Sequence, residues 1–592
     1  MMNYLDEQIA FKVVDNKVII RLRDRVCETP EELIGSELFR QVLTRFVKSL
    51  EAKGSPFCRL FDKNDAAIDA EDIQSLIDTF LVLEKMAVIN VQKLVKNSQR
   101  FVRDVHLLTD FVEKLYDYWR SFERFLICDS EGDRLDKRPF RTFNSTIEEL
   151  TQLVRKTYRD IEENITGRHP SVYRQVAAGA ELALIALPKA LDLPIRYRDK
   201  LEQIHVIRQI LLYPPLLLNP PMNKRTGMFV RVHENPLDRV ELDKSEWLCY
   251  PAKVGSLLIL VYFHERFYEL GLALANLFEL AEDEALQRRP DAVYLFGVPG
   301  DALDELAELP TVFYDDEEHG MLIGAVPGRD EFGYFGYLKK MILTLHNIKM
   351  MKLGRLPFHG AMVKILLRGA REATILLIGD TGTGKSESLE AFRTAAGDLI
   401  QEITIIADDM GSLDIAKDGS IIGYGTEIGA FVRLDDLQPG FAFGQLDRTI
   451  IMNPAQVNAR VVLPVTSFEN VVRGFAVDIV LYANNYESVD DEHPILERLP
   501  RAEEALHVFR QGAAMSKGTT TSTGLVHTYF VNVFGAVQYR DLHESIACRY
   551  FKAFYEAGLF VGQLRTRLGI SSWEMNGPRE AATALLEFIR EK

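Results

Sequence analysis

The spacing of apolar residues divides the chain into a helical part and a later part in which strands and helices alternate. FKVV and KVIIRL flank the pair Asp15-Asn16, which predicts a β-hairpin. Helical periodicity then continues to about residue 190. A helix is predicted whose apolar face consists of residues at helical spacing, namely Leu108, Phe111, Val112, Leu115, Trp119, Phe122 and Leu126. We expect a helical bundle of roughly 150 residues with a structural or partner-docking role.

Two further helices are predicted in this bundle. Ser145 and Glu148 form a capping-box pattern that opens a helix with an apolar stripe behind it. The segment 73–95 is apolar on more than one side, which is typical of a helix buried among others.

The proline-rich stretch LLYPPLLLNPPMN at 211–223 is the best linker candidate, and strand patterns follow it. These strands are predicted in GMFVRV, SLLILVYF, DAVYLFGV, TVFYDD and GMLIGAV. The alternation of short β runs with helices indicates an α/β or α+β fold. We expect a mostly helical domain at 1–205, a mixed α/β lobe on the substrate side at 206–345 and a nucleotide-binding domain at 346–592.

Composition narrows the possible partners. The chain has 592 residues, with 70 basic against 86 acidic side chains and a net charge of −16. This charge argues against nucleic acid or an anionic membrane as the main partner. Its five cysteines are scattered without a CxxC pair, and the longest apolar run, 257–263, is far shorter than a membrane span. Together with the absence of a signal-peptide pattern, this predicts a cytoplasmic protein.

A phosphate-binding loop is the chemical motif of the chain. The apolar strand 375–378 runs into GDTGTGKS and then a predicted helix, which is the GxxxxGK[ST] pattern in its strand–loop–helix setting. Glycines let backbone N–H groups approach phosphate oxygens, Lys385 supplies charge for the β- and γ-phosphates, and the Ser386 hydroxyl is suited to Mg²⁺. The predicted nucleotide-binding residues are Gly379, Asp380, Thr381, Gly382, Thr383, Gly384, Lys385 and Ser386.

A pair of carboxylates follows the next predicted strand. Asp408 and Asp409 end the segment ITIIA at 403–407. Carboxylates at a strand end beside a phosphate loop are suited to hold a divalent cation and to accept a proton. The alternative is that one of them only ends the strand.

These motifs resemble the superfamily of ATP-dependent phosphoenolpyruvate carboxykinases and HPr kinase/phosphorylases over about residues 325–575. YFGYLKK at 334–340, FHG at 358–360 and NARV at 458–461 occur in the order of that family's segments. The resemblance implies Mn²⁺ or Mg²⁺ ligation by Lys340, His359 and Asp409, and a catalytic Arg460 beside Tyr334. Since a ligating lysine must be neutral, burial and the cation must lower the pKa of Lys340.

Other segments carry the resemblance further along the chain. Glu427 and Arg433 resemble a glutamate and a lysine of the carboxykinase nucleotide site. Gly518-Thr519-Thr520 and VFGA at 533–536 resemble an adenine-side loop and a later family segment.

The sequence also departs from both families. GDTGTGKSES and ADD are closer to the HPr kinases, whereas Arg460, Tyr334 and Lys340 are closer to the carboxykinases. The arginine segment that binds oxaloacetate in carboxykinases is missing, and no pattern selects a replacement among Arg225, Arg231 and Arg239. The N-terminal bundle has no counterpart in either family.

The resulting hypothesis is an ATP- and metal-dependent kinase that phosphorylates a hydroxyl of a small molecule or a protein, with Lys385, Asp408, Arg460 and Tyr334 as catalytic residues. Asp408 is the general-base candidate. The first alternative is a divergent carboxykinase, which needs no base. The second is an inactive ATP-binding regulator whose helical domain binds a protein partner.

Overall fold

The computed structural model describes the chain except for a set of short segments, which are residues 1–8, 15–16, 23–26, 63–66, 129–137, 175–181, 213, 370, 381, 386–390, 393–398, 437–445, 517–523 and 592. The chain divides into two compact units, Met1–Pro170 and Ser171–Lys592.

The first unit is mostly helical, with a small sheet. Its helices are α1 (Pro30–Ile34), α2 (Glu37–Ala52), α3 (Ala70–Leu83), α4 (Val91–Leu94), α5 (Gln99–Val102), α6 (Val105–Arg120) and α7 (Arg138–Thr166). The sheet has the order β1 (Ile9–Val14), β2 (Lys17–Leu22) and β3 (Glu123–Cys128). β1 and β2 pair antiparallel, so the predicted hairpin is confirmed, while its turn pair Asp15-Asn16 lies outside the described residues.

The core of this unit follows the predicted apolar stripe. Leu108, Phe111 and Val112 on α6 are buried in this core, where α6 packs against α2, α5, α7 and the 3₁₀ turn Pro56–Phe61. The stripe ends with the helix at Arg120, and Leu126 belongs to β3 instead.

Two predicted helix boundaries in this unit are wrong. The segment 73–95 is not one helix, because α3 ends at Leu83 and a 3₁₀ turn precedes α4. Both pieces bury apolar side chains in the same core, which produces one continuous periodicity in the sequence. Ser145 does not open a helix, since it lies inside the 29-residue α7; a helix of this length tolerates an internal serine.

The second unit contains the remaining elements. Its helices are α8 (Ile195–Leu201), α9 (Tyr268–Ala273), α10 (Phe335–Lys352), α11 (Phe468–Val472), α12 (Ala502–Gln511), α13 (Arg540–Glu556) and α14 (Asn576–Glu591). One group of strands is β4 (Val172–Arg174), β5 (Leu182–Leu187), β6 (His205–Leu212), β7 (Leu216–Leu218), β8 (Val230–Val232), β9 (Trp247–Val254), β10 (Leu257–His264), β11 (Glu279–Leu280), β12 (Ala292–Val298), β13 (Val312–Asp316) and β14 (Met321–Pro327).

The later strands follow α10 along the chain. They are β15 (Leu356–Leu367), β16 (Arg371–Ile378), β17 (Ile400–Ala407), β18 (Met410–Ile415), β19 (Ile421–Gly425), β20 (Gly429–Arg433), β21 (Ile450–Met452), β22 (Arg460–Pro464), β23 (Phe475–Ala476), β24 (Ile479–Asn484), β25 (Leu496–Arg498), β26 (Ala513–Ser516), β27 (Gly524–His527) and β28 (Phe560–Arg565).

These strands form several mixed sheets. A ten-stranded sheet has the order β4-β6-β9-β10-β12-β14-β13-β8, with β5 and β11 at its side. A nine-stranded sheet has the order β23-β19-β18-β15-β16-β24-β28-β25, with β17 on β15. A four-stranded sheet, β20-β22-β21-β7, and the hairpin β26-β27 complete the set. The mixed α/β class is confirmed.

The five strands predicted between 227 and 326 are present as β8, β10, β12, β13 and β14. The linker predicted at 211–223 is wrong, because this segment contributes to β6 and β7, and Leu212, Leu216 and Leu218 are buried. Leu182–Leu187 is a strand rather than part of the helical region. The division of the chain at Pro170 therefore precedes the boundary predicted at 205, and residues 206–345 and 346–592 belong to one unit.

The carboxyl ends of three parallel strands position the phosphate loop. β16, β24 and β28 pair in parallel, so they end at the same edge of the nine-stranded sheet. The loop at 379–385 follows β16 at this edge, which is the edge where ligand sites lie in open α/β sheets. Among the described residues, no helix has the length and apolarity that a bilayer crossing requires.

Candidate active site

Main-chain hydrogen bonds bring three segments together at the end of β16. The N–H of Gly379 donates to the carbonyl of His359 in β15 at 3.1 Å, and the N–H of Gly360 donates to the carbonyl of Asp409 at 2.9 Å. Gly360 allows this approach, since a Cβ there would lie 2.6 Å from the carbonyl oxygen of Leu377. The backbone therefore places the imidazole and the carboxylate beside the phosphate loop.

The phosphate loop is shaped by its glycines. Gly382 and Gly384 have φ angles of 80° and 95°, in the left-handed region that favours glycine. The Lys385 ammonium is buried and donates to the Gly379 carbonyl at 2.6 Å. Burial lowers the pKa of Lys385, and the negative charge of Asp409 opposes this shift.

The remaining loop residues are partly described. The Thr383 hydroxyl and N–H donate to the Asp380 carbonyl at 2.7 and 3.2 Å, which closes a turn within the loop. The carboxylate of Asp380 lies 3.9 Å from Nδ1 of His359. Thr381 and Ser386 lie outside the described residues, and so does most of the segment predicted as the following helix.

His359 is held between two hydrogen-bond acceptors. Its Nδ1 lies 2.7 Å from the carbonyl oxygen of Val531, and its Nε2 lies 3.0 Å from Oδ1 of Asp409. A neutral imidazole has one N–H, so only one of these contacts is satisfied without a second proton or a cation. If the Nδ1 proton is donated to Val531, the Nε2 lone pair faces the Asp409 carboxylate, which is the arrangement that two ligands of one cation have.

The carbonyl that contacts His359 comes from a strained turn. Phe530, Val531 and Asn532 have φ angles of 44°, 56° and 62°. A β-branched residue rarely adopts this left-handed conformation, and such backbone strain concentrates at functional sites. Phe534, in the predicted VFGA segment, follows this turn and packs 5.7 Å from the His359 ring. The 518–520 segment predicted for the adenine side lies outside the described residues.

The two adjacent lysines of α10 have different environments. Lys339, which the sequence analysis did not select, is buried and lies 2.8 Å from Asp409 and 3.3 Å from Glu427. Burial acts to lower the pKa of Lys339, but the two carboxylates raise it well above its ordinary value. Lys340, the predicted ligand, has no ion pair among the described residues and lies 5.1 Å above the Phe534 ring. Burial, with the nearby charge of Arg225, lowers its pKa to about 8, as predicted in direction.

Glu427 is a buried carboxylate between β19 and β20. Its side chain is 0% exposed, and its ion pair with Lys339 has poor hydrogen-bond geometry. Burial raises the pKa of Glu427 to about 8, and Lys339 opposes the shift. The structure thus places this predicted nucleotide-site residue against Lys339.

Arg460 and Tyr334 lie against one aromatic ring, and Arg433 lies opposite Arg460 in the same sheet. Arg460 lies 5.5 Å above the Phe431 ring, and Tyr334 lies 6.0 Å from it. Arg433 and Arg460 are directly opposite each other on the antiparallel strands β20 and β22. Like charges in this position repel each other. Arg433 is paired with Asp435 at 3.3 Å, whereas Arg460 has no ion pair among the described residues. A bound anion would stabilise this pair.

The sequence does not show which of Arg225, Arg231 and Arg239 lies at the site, but the structure places them in different environments. Arg231 pairs with Asp315 at 3.6 Å, and the exposed Arg239 pairs with Glu234 at 2.6 Å. Arg225 makes no ion pair in the part of the chain that the structure describes. Its charge lowers the pKa of Lys340, and its own pKa is lowered by burial. Arg225 is therefore the one that lies at the site.

The structure brings together most of the predicted site residues. Asp408 is half-buried, and its charge acts on the pKa values of Lys385 and Glu427, so it belongs to the same cluster. The sequence analysis missed Lys339 and the Val531 carbonyl. The two consecutive lysines predict that a lysine lies at the site, but they do not show which of the two contacts Asp409. A contact made by a main-chain carbonyl cannot be predicted from the residue type.

A second group of acidic residues lies elsewhere in the unit. Asp316, Glu318 and His319 place potential ligand atoms within 4.8 Å of one another. Asp316 already accepts hydrogen bonds from Tyr197 and His319, which explains the grouping without a cation.

Comparison with known protein families and with curated proteins finds no match for this chain.

Proposed function

We propose that the protein is an ATP- and divalent-metal-dependent phosphotransferase that transfers the γ-phosphate to a hydroxyl of a small molecule or a protein. The observation that carries the proposal is the position of His359, Asp409 and Lys385. His359 lies in β15, Asp409 lies just after β17, and Lys385 belongs to the glycine-rich loop after β16, where the three side chains meet.

The side chains at this position fit a divalent cation. The Nε2 of His359 and the carboxylate of Asp409 face each other at 3.0 Å, and Lys340 supplies an amine whose pKa is lowered to about 8. An N,N,O donor set of this kind suits Mn²⁺ and, with phosphate oxygens, Mg²⁺. Such a cation would neutralise charge on the β- and γ-phosphates.

The protein groups then have separable roles. The loop amides and Lys385 bind the β- and γ-phosphates, and Arg460, held on Phe431 beside Tyr334, neutralises charge on the transferring phosphoryl group. Asp408 accepts the proton of the acceptor hydroxyl. Lys339 keeps the Asp409 carboxylate ionised and oriented, since it donates to Oδ2 at 2.8 Å.

Arg225 favours a second candidate function, a divergent phosphoenolpyruvate carboxykinase. A half-buried arginine that makes no ion pair among the described residues, and whose charge acts on Lys340, is suited to bind a substrate carboxylate. In that reaction decarboxylation supplies the enolate nucleophile, and Asp408 needs no role as a base.

The test is incubation with γ-labelled ATP and Mn²⁺ in the presence of a fractionated metabolite extract and a cell lysate. Transfer of label to an acceptor in the wild type, and its loss in Lys340→Ala and Arg460→Ala but not in Arg239→Ala, would support the kinase. Carboxylation of phosphoenolpyruvate with ADP, bicarbonate and Mn²⁺ would support the carboxykinase instead. ATP binding without turnover in either assay would favour the inactive regulator.

A further inference from the structure

The phosphate loop contains three glycines, and side chains from two other segments hold its carbonyl groups. A glycine-rich loop has a high conformational entropy and does not hold one shape through its own side chains. The segments that contact it follow β24 and β28, whose carboxyl ends lie beside that of β16.

Thr566, directly after β28, contacts the loop at its centre. Its hydroxyl donates to the Thr383 carbonyl at 2.7 Å, while its own N–H donates to the Asn484 carbonyl at 2.8 Å. The contact is close, because a Cβ at Gly384 would lie 2.9 Å from the Thr566 side chain. Thr566 is fully buried.

Asn485, directly after β24, holds the preceding peptide. Its amide nitrogen donates to the carbonyls of Gly382 and Met515, both at 3.0 Å, and its amide oxygen accepts from the Met515 N–H at 2.8 Å. Asn485 is also fully buried, so these three bonds satisfy most of the capacity of its amide group. One side chain thus links the phosphate loop to β26.

We propose that Thr566 and Asn485 are positioning residues, which hold the phosphate loop in its nucleotide-binding shape before the nucleotide binds. In a trans peptide the carbonyl and the following N–H point in opposite directions. The bond from Thr566 to the Thr383 carbonyl therefore directs the N–H of Gly384 to the other side of the loop. The inference rests on the proposed role of this loop in binding nucleotide.

An anchored loop reduces the entropy cost of binding. Without the anchors, ATP itself would have to order the glycine-rich backbone, and its affinity would fall by that cost. The two residues do not touch the phosphates in this account, so their loss weakens binding without removing the groups that bind.

The test compares three variants of the full chain for binding of ATP with Mg²⁺ by calorimetry. Thr566→Val removes the hydroxyl at nearly constant volume, and Thr566→Ser retains it. Thr449→Val is the matched control, because the Thr449 hydroxyl is also buried and donates to a main-chain carbonyl, that of Leu446, at 2.8 Å. Thermal unfolding without nucleotide is measured for each variant.

We expect Thr566→Val to weaken ATP binding about three- to tenfold, since one hydrogen bond contributes about that factor. Thr566→Ser and Thr449→Val should remain within about twofold of the wild type, although Thr449→Val loses a comparable amount of thermal stability. Equal ATP affinity in Thr566→Val and Thr449→Val would overturn the inference.

A variant of Asn485 tests the second positioning residue, and the wild type distinguishes failure of this inference from failure of the proposed function. Asn485→Asp keeps an acceptor for the Met515 N–H but places a carboxylate against two carbonyls, and it should weaken ATP binding at least as much as Thr566→Val. Normal ATP affinity in Asn485→Asp would also count against the inference. A wild type that does not bind ATP at all would instead refute the proposed function.

Discussion

The two units treat their buried polar groups differently. In the first unit, the buried polar side chains that the structure describes are Asp72, Thr79, Ser98 and Thr157, and each has a hydrogen-bond partner. Asp72, for example, lies 2.7 Å from Arg100 and accepts from the Asp69 N–H. In the second unit, charges around the phosphate loop are buried with incomplete compensation.

This contrast separates structural charges from functional ones. Lys340, Arg225 and Arg460 have no ion pair among the described residues, although the environment of each is partly or wholly withdrawn from water. Burying an unpaired charge costs free energy, so such groups are retained where a ligand compensates them. In the proposed function, the phosphates of the nucleotide would compensate these positive groups, in a chain of net charge −16.

The largest expected effect is that of Arg460→Ala on phosphoryl transfer. A correctly placed arginine contributes about 10³–10⁵ in rate, and its loss should lower kcat by a factor in that range. Arg100→Ala in the first unit is the comparison, and it should change stability but not kcat. Rates measured with labelled ATP and the identified acceptor check this. Similar rates in the two variants would remove the distinction between the units.

The next effect is on stability. Lys339→Met leaves the half-buried Asp409 and the buried Glu427 without their shared cation, which should cost about 3–5 kcal/mol. The control is Lys349→Met on the same helix, whose Lys349–Asp291 contact of 3.6 Å is more exposed and should cost less than about 1 kcal/mol.

Urea unfolding can be followed in the second unit alone. The chain has three tryptophans, of which Trp119 lies in the first unit, so a Trp119→Phe background reports on Trp247 and Trp573. Equal midpoints for Lys339→Met and Lys349→Met would show that the cluster does not depend on Lys339.

An effect of similar size, spread over several pH units, is expected on the pH dependence of stability. Burial raises the pKa of Glu427 from an ordinary value of 4.5 to about 8, so between these values the folded state binds more protons than the unfolded state. The contribution of Glu427 to the free energy of unfolding is fully present below about pH 4.5. It is lost as the pH rises to 8, by up to about 1.4 kcal/mol per pH unit.

The measurement is urea unfolding of the full chain without metal between pH 5 and 8, in which the signal of the second unit is followed. Glu427→Gln carries no titrating proton and should lack this part of the slope. A wild-type slope identical to that of Glu427→Gln would contradict the predicted protonation of Glu427.

The smallest effect lies in the first unit. Asp72→Asn weakens the bond to Arg100 and the capping box of α3, and it should cost about 1–2 kcal/mol. Trp119 fluorescence during urea unfolding, in a background with Trp247→Phe and Trp573→Phe, measures this loss. ATP affinity should remain unchanged, and a fall in affinity would show that the first unit contributes to the site.

Local sequence patterns predicted the strands and the phosphate loop well. Runs such as 257–263 and 292–298 are apolar on every residue, because both faces of the sheet are covered, and the glycine pattern of the loop is set by φ angles that only glycine adopts easily. The prediction of a linker at 211–223 was wrong because prolines next to the ends of strands give the same sequence pattern as prolines in a linker between domains.

The contacts that define the site were less predictable. Which of Lys339 and Lys340 meets Asp409, and which of three arginines lies beside them, depends on the packing of α10 against distant strands. The role of the Val531 carbonyl cannot be predicted from the residue type. The left-handed backbone of Val531 also differs from the extended conformation that valine prefers.

The central claim is that the unpaired positive charges compensate the phosphates of a nucleotide whose cation is held at His359 and Asp409. Its most direct test is titration of Mn²⁺ followed by electron paramagnetic resonance, with and without ATP. We predict one tight site in the wild type whose affinity rises when ATP is present, and its loss in His359→Ala and Asp409→Ala but not in Asp316→Ala. Tight binding that survives in His359→Ala and disappears in Asp316→Ala would contradict the account.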